Sequence, residues 1–162
     1  MKSSRRVKLI AFLALLLSTS GIVQAQNEDL DQAVAAYNSG DYAKAVSLWE
    51  PYARQGNREA QYAMGVAFYE GKGASRDLDQ AIEWFRKAAD SGQTTAMFNL
   101  GVAYWEGRGV KQNFSRAVDW WERAAELGDI TSQYNHGLAY YLGKGAERDI
   151  SQARIWLGRS AE

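Results

Sequence analysis

Shifted by 36 residues, the sequence matches itself. Residues 58–93, 94–129 and 130–162 align as three copies, the last one three residues short. Seven columns are identical in all three: Gly65/Gly101/Gly137, Ala67/Ala103/Ala139, Gly71/Gly107/Gly143, Gly73/Gly109/Gly145, Ala81/Ala117/Ala153, Trp84/Trp120/Trp156 and Ala89/Ala125/Ala161. A period between about 20 and 50 residues marks a solenoid, because a unit that short cannot bury its apolar face alone and must stack on its neighbours.

Each unit reads as two helices, so the expected fold is all-α. The first helix runs from about Glu59 to Glu70, and Gly71 just after it suits a left-handed helix end. The second begins near Asp77, which can cap it, with Gln80 placed to answer back as in a capping box. Asp149 with Gln152 repeats this arrangement, Asn113 supplies the middle cap, and Gly92 and Gly128 end the second helices. Mid-helix glycine costs about 1 kcal/mol against alanine, so Gly65 and its copies imply a close neighbour. Ala81, Trp84 and Ala89 are spaced to share a face, and Trp84 is expected to fill the gap between the paired helices.

Residues 26–57 form a divergent first unit. Tyr37-Asn38-Ser39-Gly40-Asp41-Tyr42 replaces the longer glycine loop, and Ala45, Leu48 and Ala53 fall where Ala81, Trp84 and Ala89 would be. Pro51 lies inside the second helix of this unit and is expected to bend it, because the bond to the Ser47 carbonyl is lost. The last unit departs differently. His136 stands at the Met64/Leu100 position, and Arg154 stands at the Ile82/Val118 position, where a polar residue suits the end of a stack.

Residues 1–25 read as a secretory signal peptide. Lys2, Arg5, Arg6 and Lys8 form a positive head, Leu9 to Leu17 an apolar run, and Val23-Gln24-Ala25 a small-residue cleavage pattern. The apolar run is short for a membrane span, which needs about 20 residues, so no stable membrane insertion is expected after cleavage. Of 19 basic and 19 acidic residues the leader holds four basic and no acidic ones, which leaves 15 basic against 19 acidic. A surface with that balance is a poor partner for a phosphate backbone, so no nucleic acid is expected. The chain has no cysteine and one histidine, which excludes a cysteine nucleophile and a multi-histidine metal site. No cofactor motif is present. The glycine loops, such as Gly107-Arg108-Gly109, lack the strand before and the lysine–hydroxyl pair after that a phosphate cradle needs, and they read as turns. His136 reads as a packing residue rather than a base, and Glu70 and Glu106 as a solvated face.

The run Ala60, Met64-Gly65, Phe68, Gly71-Lys72-Gly73, Asp77, Gln80-Ala81, Trp84-Phe85, Ala88-Ala89, Gly92 resembles the Sel-1-like repeat, a longer-looped relative of the tetratricopeptide repeat. Ala96, Leu100-Gly101, Tyr104, Gly107-Arg108-Gly109-Val110, Ala117, Trp120-Trp121, Ala124-Ala125, Gly128 matches the pattern again, and Ala36 to Ala45 resembles the shorter tetratricopeptide form. The resemblance covers the chain beyond its leader. It implies a right-handed α-α solenoid and a non-enzymatic scaffold in the envelope of a bacterial cell or secreted from it, with another protein or peptide as partner. Aligned on Gly65, the tetratricopeptide pattern places the partner face on Tyr62, Val66, Tyr69 and Glu70 of one unit and on Phe98, Val102, Trp105 and Glu106 of the next. The last unit contributes Tyr134, Leu138, Tyr141 and Leu142. The face is thus expected to carry two aromatic rows with an acidic edge. The alternative is a module that binds peptidoglycan or another glycan, or a weak cell-wall hydrolase using a carboxylate pair.

Overall fold

A computed structural model describes residues 28–161. The leader expected over residues 1–25, and the cleavage point before Gln26, lie outside the described residues. Among those residues the chain is helical throughout, with no strand. Helix α1 covers residues 28–38. It is followed by α2 (Tyr42–Arg54), α3 (Arg58–Glu70), α4 (Leu78–Asp90), α5 (Thr94–Glu106), α6 (Phe114–Glu126), α7 (Ile130–Leu142) and α8 (Ile150–Arg159). Packing runs from each helix to the next, α2 on α3 through to α7 on α8, which is the order of a one-dimensional α-α solenoid.

The chemistry that starts and stops these helices recurs from unit to unit. The side chains of Asp77, Asn113 and Asp149 accept from the backbone N–H groups of Gln80, Arg116 and Gln152 at 3.0 Å each. The reciprocal half of the expected capping box does not form at Asp77. Its own N–H donates to the Phe68 carbonyl of α3 at 3.0 Å, as Asn113 does to Tyr104 and Asp149 to Tyr140. The capping residue therefore also closes the loop back onto the preceding helix. Gly71, Gly107 and Gly143 end the first helices in the left-handed conformation. The second loop glycine has a further duty. A Cβ on Gly109 would stand 2.9 Å from the Leu78 carbonyl oxygen of the preceding unit, and Gly73 and Gly145 approach Tyr42 and Phe114 in the same way. That glycine docks each loop on the start of the previous unit's second helix.

The gap between paired helices is not filled by the tryptophan column, contrary to expectation. The side chain opposite Gly65 is Phe85, one residue later, and a Cβ on Gly65 would come within 2.5 Å of its ring. Trp121 stands against Gly101 and Leu157 against Gly137 in the same manner. Phe85 and Trp121 are buried, as is Trp49 at the equivalent place in α2, where Leu48 is only half-buried. Trp84 and Trp120 are half-buried at the seams between units, each with a cation stacked on its ring at 4.2 Å, Lys87 and Arg123 respectively. Trp156 is more enclosed than either and meets His136 edge-on, with centroids 4.9 Å apart.

One detail at the C-terminal end also differs from the sequence reading. Helix α8 stops at Arg159, so Ala161 is exposed and does not serve as Ala89 and Ala125 do. Helix α2 continues through Pro51 to Arg54. Arg154 is exposed, whereas Val46, Ile82 and Val118 lie under the glycine loop of the following unit.

Candidate functional site

Because side chains three and four apart share a helix face, α3, α5 and α7 each present one row to the same side of the stack. Between α3 and α5 lies a hollow of about 260 Å³ walled by Tyr62, Val66, Tyr69 and Glu70 on one side and Asn99, Val102 and Ala103 on the other. Phe85 and Ile82 form its apolar base and Arg108 stands at one end. A second hollow of about 200 Å³ lies between α5 and α7, lined by Val102, Trp105, Glu106, Asn135 and Leu138 over Trp121. Val102 belongs to both, so the two adjoin.

Eight of the twelve anticipated face residues therefore line this pair of hollows: Tyr62, Val66, Tyr69, Glu70, Val102, Trp105, Glu106 and Leu138. Phe98 lines neither; it packs on the cluster of Tyr104, Ala117 and Trp121. Tyr134, Tyr141 and Leu142 also line neither, and each is about half exposed. The sequence reading missed Asn99 and Asn135, one period apart, which bring amide groups into otherwise apolar walls. The 36-residue period was the available signal for that pair.

The rings in the walls are held from below and from the side. Tyr62 and Tyr69 lean on Phe85, with centroids 5.8 and 6.5 Å away. Trp105 packs against Trp121 at 5.1 Å and edge-on to Phe114 at 4.9 Å. The middle residue of each glycine loop is basic and reaches back to the preceding unit. The Lys72 ammonium lies 5.3 Å from the centre of the Tyr42 ring. Arg108 donates to the Tyr69 hydroxyl at 3.0 Å. Lys144 lies over Trp105 at 4.8 Å and Phe114 at 4.0 Å. Cation–ring contacts of this kind stabilise by about 0.5–1 kcal/mol at exposed sites.

These loop cations alter the expected acidic edge. Glu70 pairs with Lys72 at 2.9 Å and accepts from the Tyr37 hydroxyl at 2.9 Å, while Glu106 pairs with Arg108 at 2.8 Å. Lys72, with help from Tyr37 and against the effect of burial, holds the Glu70 carboxyl below the ordinary carboxylate range. Both glutamates of the edge are thus charge-paired, and the second hollow has the Lys144 ammonium over its Trp105 wall. No group of three or more metal-ligating side chains occurs among the described residues.

Known proteins share this architecture. The Sel1 repeat matches residues 58–93, 94–129 and 130–162. A crystal structure of a protective antigen present in uropathogenic Escherichia coli strains, displaying an SLR fold, superposes with a TM-score of 0.80 and 34% identity, covering 90% of this chain and 32% of that one. A Sel1 repeat protein from Oxalobacter formigenes gives 0.78 and 29%, covering 82% of this chain and 54% of that one. The chain therefore spans about a third and about half of these two relatives. The cysteine rich protein B of Helicobacter pylori, at 18% identity and a TM-score of 0.59, shares the fold over 70% of this chain and 90% of its own. No curated protein matches the chain.

Proposed function

The chain belongs to the Sel1 repeat family, and from that premise we propose that it is a non-enzymatic scaffold that holds a partner polypeptide along its first-helix face. Proteins of this family are typically protein-interaction scaffolds. The observation that carries the reading is the pair of adjoining hollows, with Tyr62, Tyr69 and Trp105 in their walls and Val102 shared between them. Partly exposed aromatic side chains held by neighbours are suited to binding, because little rotamer freedom is left to lose when a partner orders them. Asn99 and Asn135 offer amide donors and acceptors, one in each hollow, to the backbone of a bound peptide.

The leader supports a site of action in the periplasm or outside the cell. No helix among the described residues is long and apolar enough to cross a membrane. N-terminal sequencing of the protein recovered from expressing cells is expected to begin at Gln26, and recovery of Met1 on exported material would instead indicate an anchored protein.

The binding face is tested with Val102→Glu, because Trp105 is too deeply involved with Phe114 and Trp121 for its removal to leave stability unchanged. Purified mature protein is presented to envelope extract and to isolated cell-wall material. A specific polypeptide is expected to be captured by the native chain and lost with Val102→Glu, while the thermal transition moves by only a few degrees. Capture of cell-wall glycan instead, or polypeptide capture untouched by the substitution, would overturn the proposal.

A further inference from the structure

A third hollow, of different chemistry, lies where α4, α5 and the start of α6 meet. It measures about 390 Å³ and shares no lining residue with the first-helix hollows. Three cations line it: Arg86, Lys111 and Arg116. None has a carboxylate within ion-pair distance among the described residues. Instead, Arg86 donates to the Tyr104 hydroxyl at 2.9 Å and Arg116 donates to the same oxygen at 3.3 Å. Two guanidinium groups thus converge on one neutral oxygen, although like charges brought together repel. Both lone pairs of the hydroxyl are engaged, which leaves its proton to donate into the hollow.

The repeat itself supplies the control. One period away, the Arg86 position holds Glu50 and Glu122, the Arg116 position holds Gln80 and Gln152, and the Lys111 position holds Ser75 and Glu147. Packing between units is therefore achieved twice without this cationic group, so the fold alone does not require it. The aromatic position is kept, as Phe68 and Tyr140, but only at Tyr104 does a hydroxyl meet two arginines. Burial by itself would raise the pKa of that hydroxyl, yet donation from Arg86 and Arg116 brings it below the ordinary tyrosine value. Two guanidinium groups with no carboxylate at ion-pair distance make the field at this oxygen positive.

We propose that Arg86, Tyr104 and Arg116, with Lys111 at the rim, form an oxyanion-binding site for a small ligand bearing a carboxylate or phosphate group. The guanidinium forks supply paired N–H donors matched to such an oxyanion, and the tyrosine proton supplies another. The site is independent of the polypeptide-binding face and stands or falls separately from it.

The test is a titration of the purified mature chain with sodium phosphate and, separately, with sodium citrate, at ionic strength held constant with chloride. The readout is the arginine side-chain and backbone amide resonances. Saturable changes confined to Arg86, Tyr104, Lys111 and Arg116 are expected with one or both anions, and the tighter of the two tells phosphate from carboxylate. The double variant Arg86→Glu, Arg116→Gln installs the residues that neighbouring units already carry, so it should fold. It is expected to weaken binding at least about tenfold, the loss of one charge-assisted hydrogen bond or more. Non-saturating shifts spread over all basic residues, or equal affinity in the double variant, would overturn the proposal.

Discussion

Tryptophans at residues 84, 120 and 156 recur at every period, yet the side chain facing the mid-helix glycine is the next one along. Neighbouring positions on a helix lie about 100° apart, so both belong to the buried half and periodicity cannot rank them. The gap filler varies in size, as Trp49, Phe85, Trp121 and Leu157, whereas the position before it is tryptophan in the three matching copies and Leu48 in the divergent first unit. In the first two copies the identical tryptophan therefore marked the seam, and its neighbour Phe85 or Trp121 the deeper site. Trp121→Ala is accordingly expected to cost about 3–5 kcal/mol, the range for a large buried aromatic, and Trp120→Ala distinctly less. Equal losses in urea denaturation would show that the two share the core equally. His136 behaves as a packing residue of an awkward kind. It is 1% exposed, neither ring nitrogen has a hydrogen-bond partner, and its ring is edge-on to Tyr140 and Trp156. Burial is the dominant cause and lowers its pKa, against a weaker upward pull from the Glu126 charge. The unfolded chain then takes up the proton first, near the ordinary value of about 6.5, so this residue's share of stability is intact above that pH and lost as pH falls below it. His136→Leu, the residue found at Leu100, should flatten that loss: between pH 7.5 and 5.5 the urea midpoint of the native chain should fall further than the variant's. Parallel profiles would mean that the imidazole titrates alike in both states.

At the scale of helices and loops, much was legible because start and stop signals are local. Asp77, Asn113 and Asp149 cap as their chemistry suggests, and glycines follow the first helices where the apolar pattern ends. What the pattern could not reveal was interaction across units. Lys72, Arg108 and Lys144 sit beyond their helix ends, where no helical period fixes their direction, and so their reach onto the preceding unit was missed. For the same reason Glu70 and Glu106 looked like an unpaired acidic edge. The wall residues, by contrast, lie inside helices, where spacings of three and four decide the face, and two-thirds of those anticipated line the hollows. A pair of loop substitutions separates the local from the long-range part of the loop's role. Gly128 has φ of +90° and open space where a Cβ would go, while Gly109 has φ of +68° and Leu78 and Ile82 in the way. Gly128→Ala should cost only the left-handed backbone penalty, about 1–2 kcal/mol. Gly109→Ala should cost more, because the loop must also withdraw from the preceding unit. Equal destabilisation in chemical denaturation would remove the docking role assigned to that glycine.

The molecule as a whole is a stack in which helices pack mainly on their neighbours in sequence, so its stability is a sum of unit and seam contributions rather than of one central core. Those contributions are unequal. The central seam joins Ile82, Phe85, Met97 and Leu100 in one buried cluster with the alanines around them. Helix α7 buries Ser132 and His136 with unsatisfied polar atoms, and α8 buries only Ala153 and Trp156. Hydrogen exchange at neutral pH should therefore be slowest in α4 and α5 and fastest in α8, with α7 between, because local opening follows the number of buried apolar contacts that must break. This gradient crosses the proposed binding face: one hollow lies over the strong α3–α5 region and the other over the weaker α5–α7 boundary. A polypeptide bound along both would tie α7 to the firmer part of the stack and stabilise it in proportion to ligand occupancy. Adding the captured partner should then slow exchange in α7 far more than in α3. Uniform protection across α3 to α8 in the unbound chain would mean that the stack opens as one cooperative body. Unchanged α7 exchange in the complex would confine the partner to the first hollow.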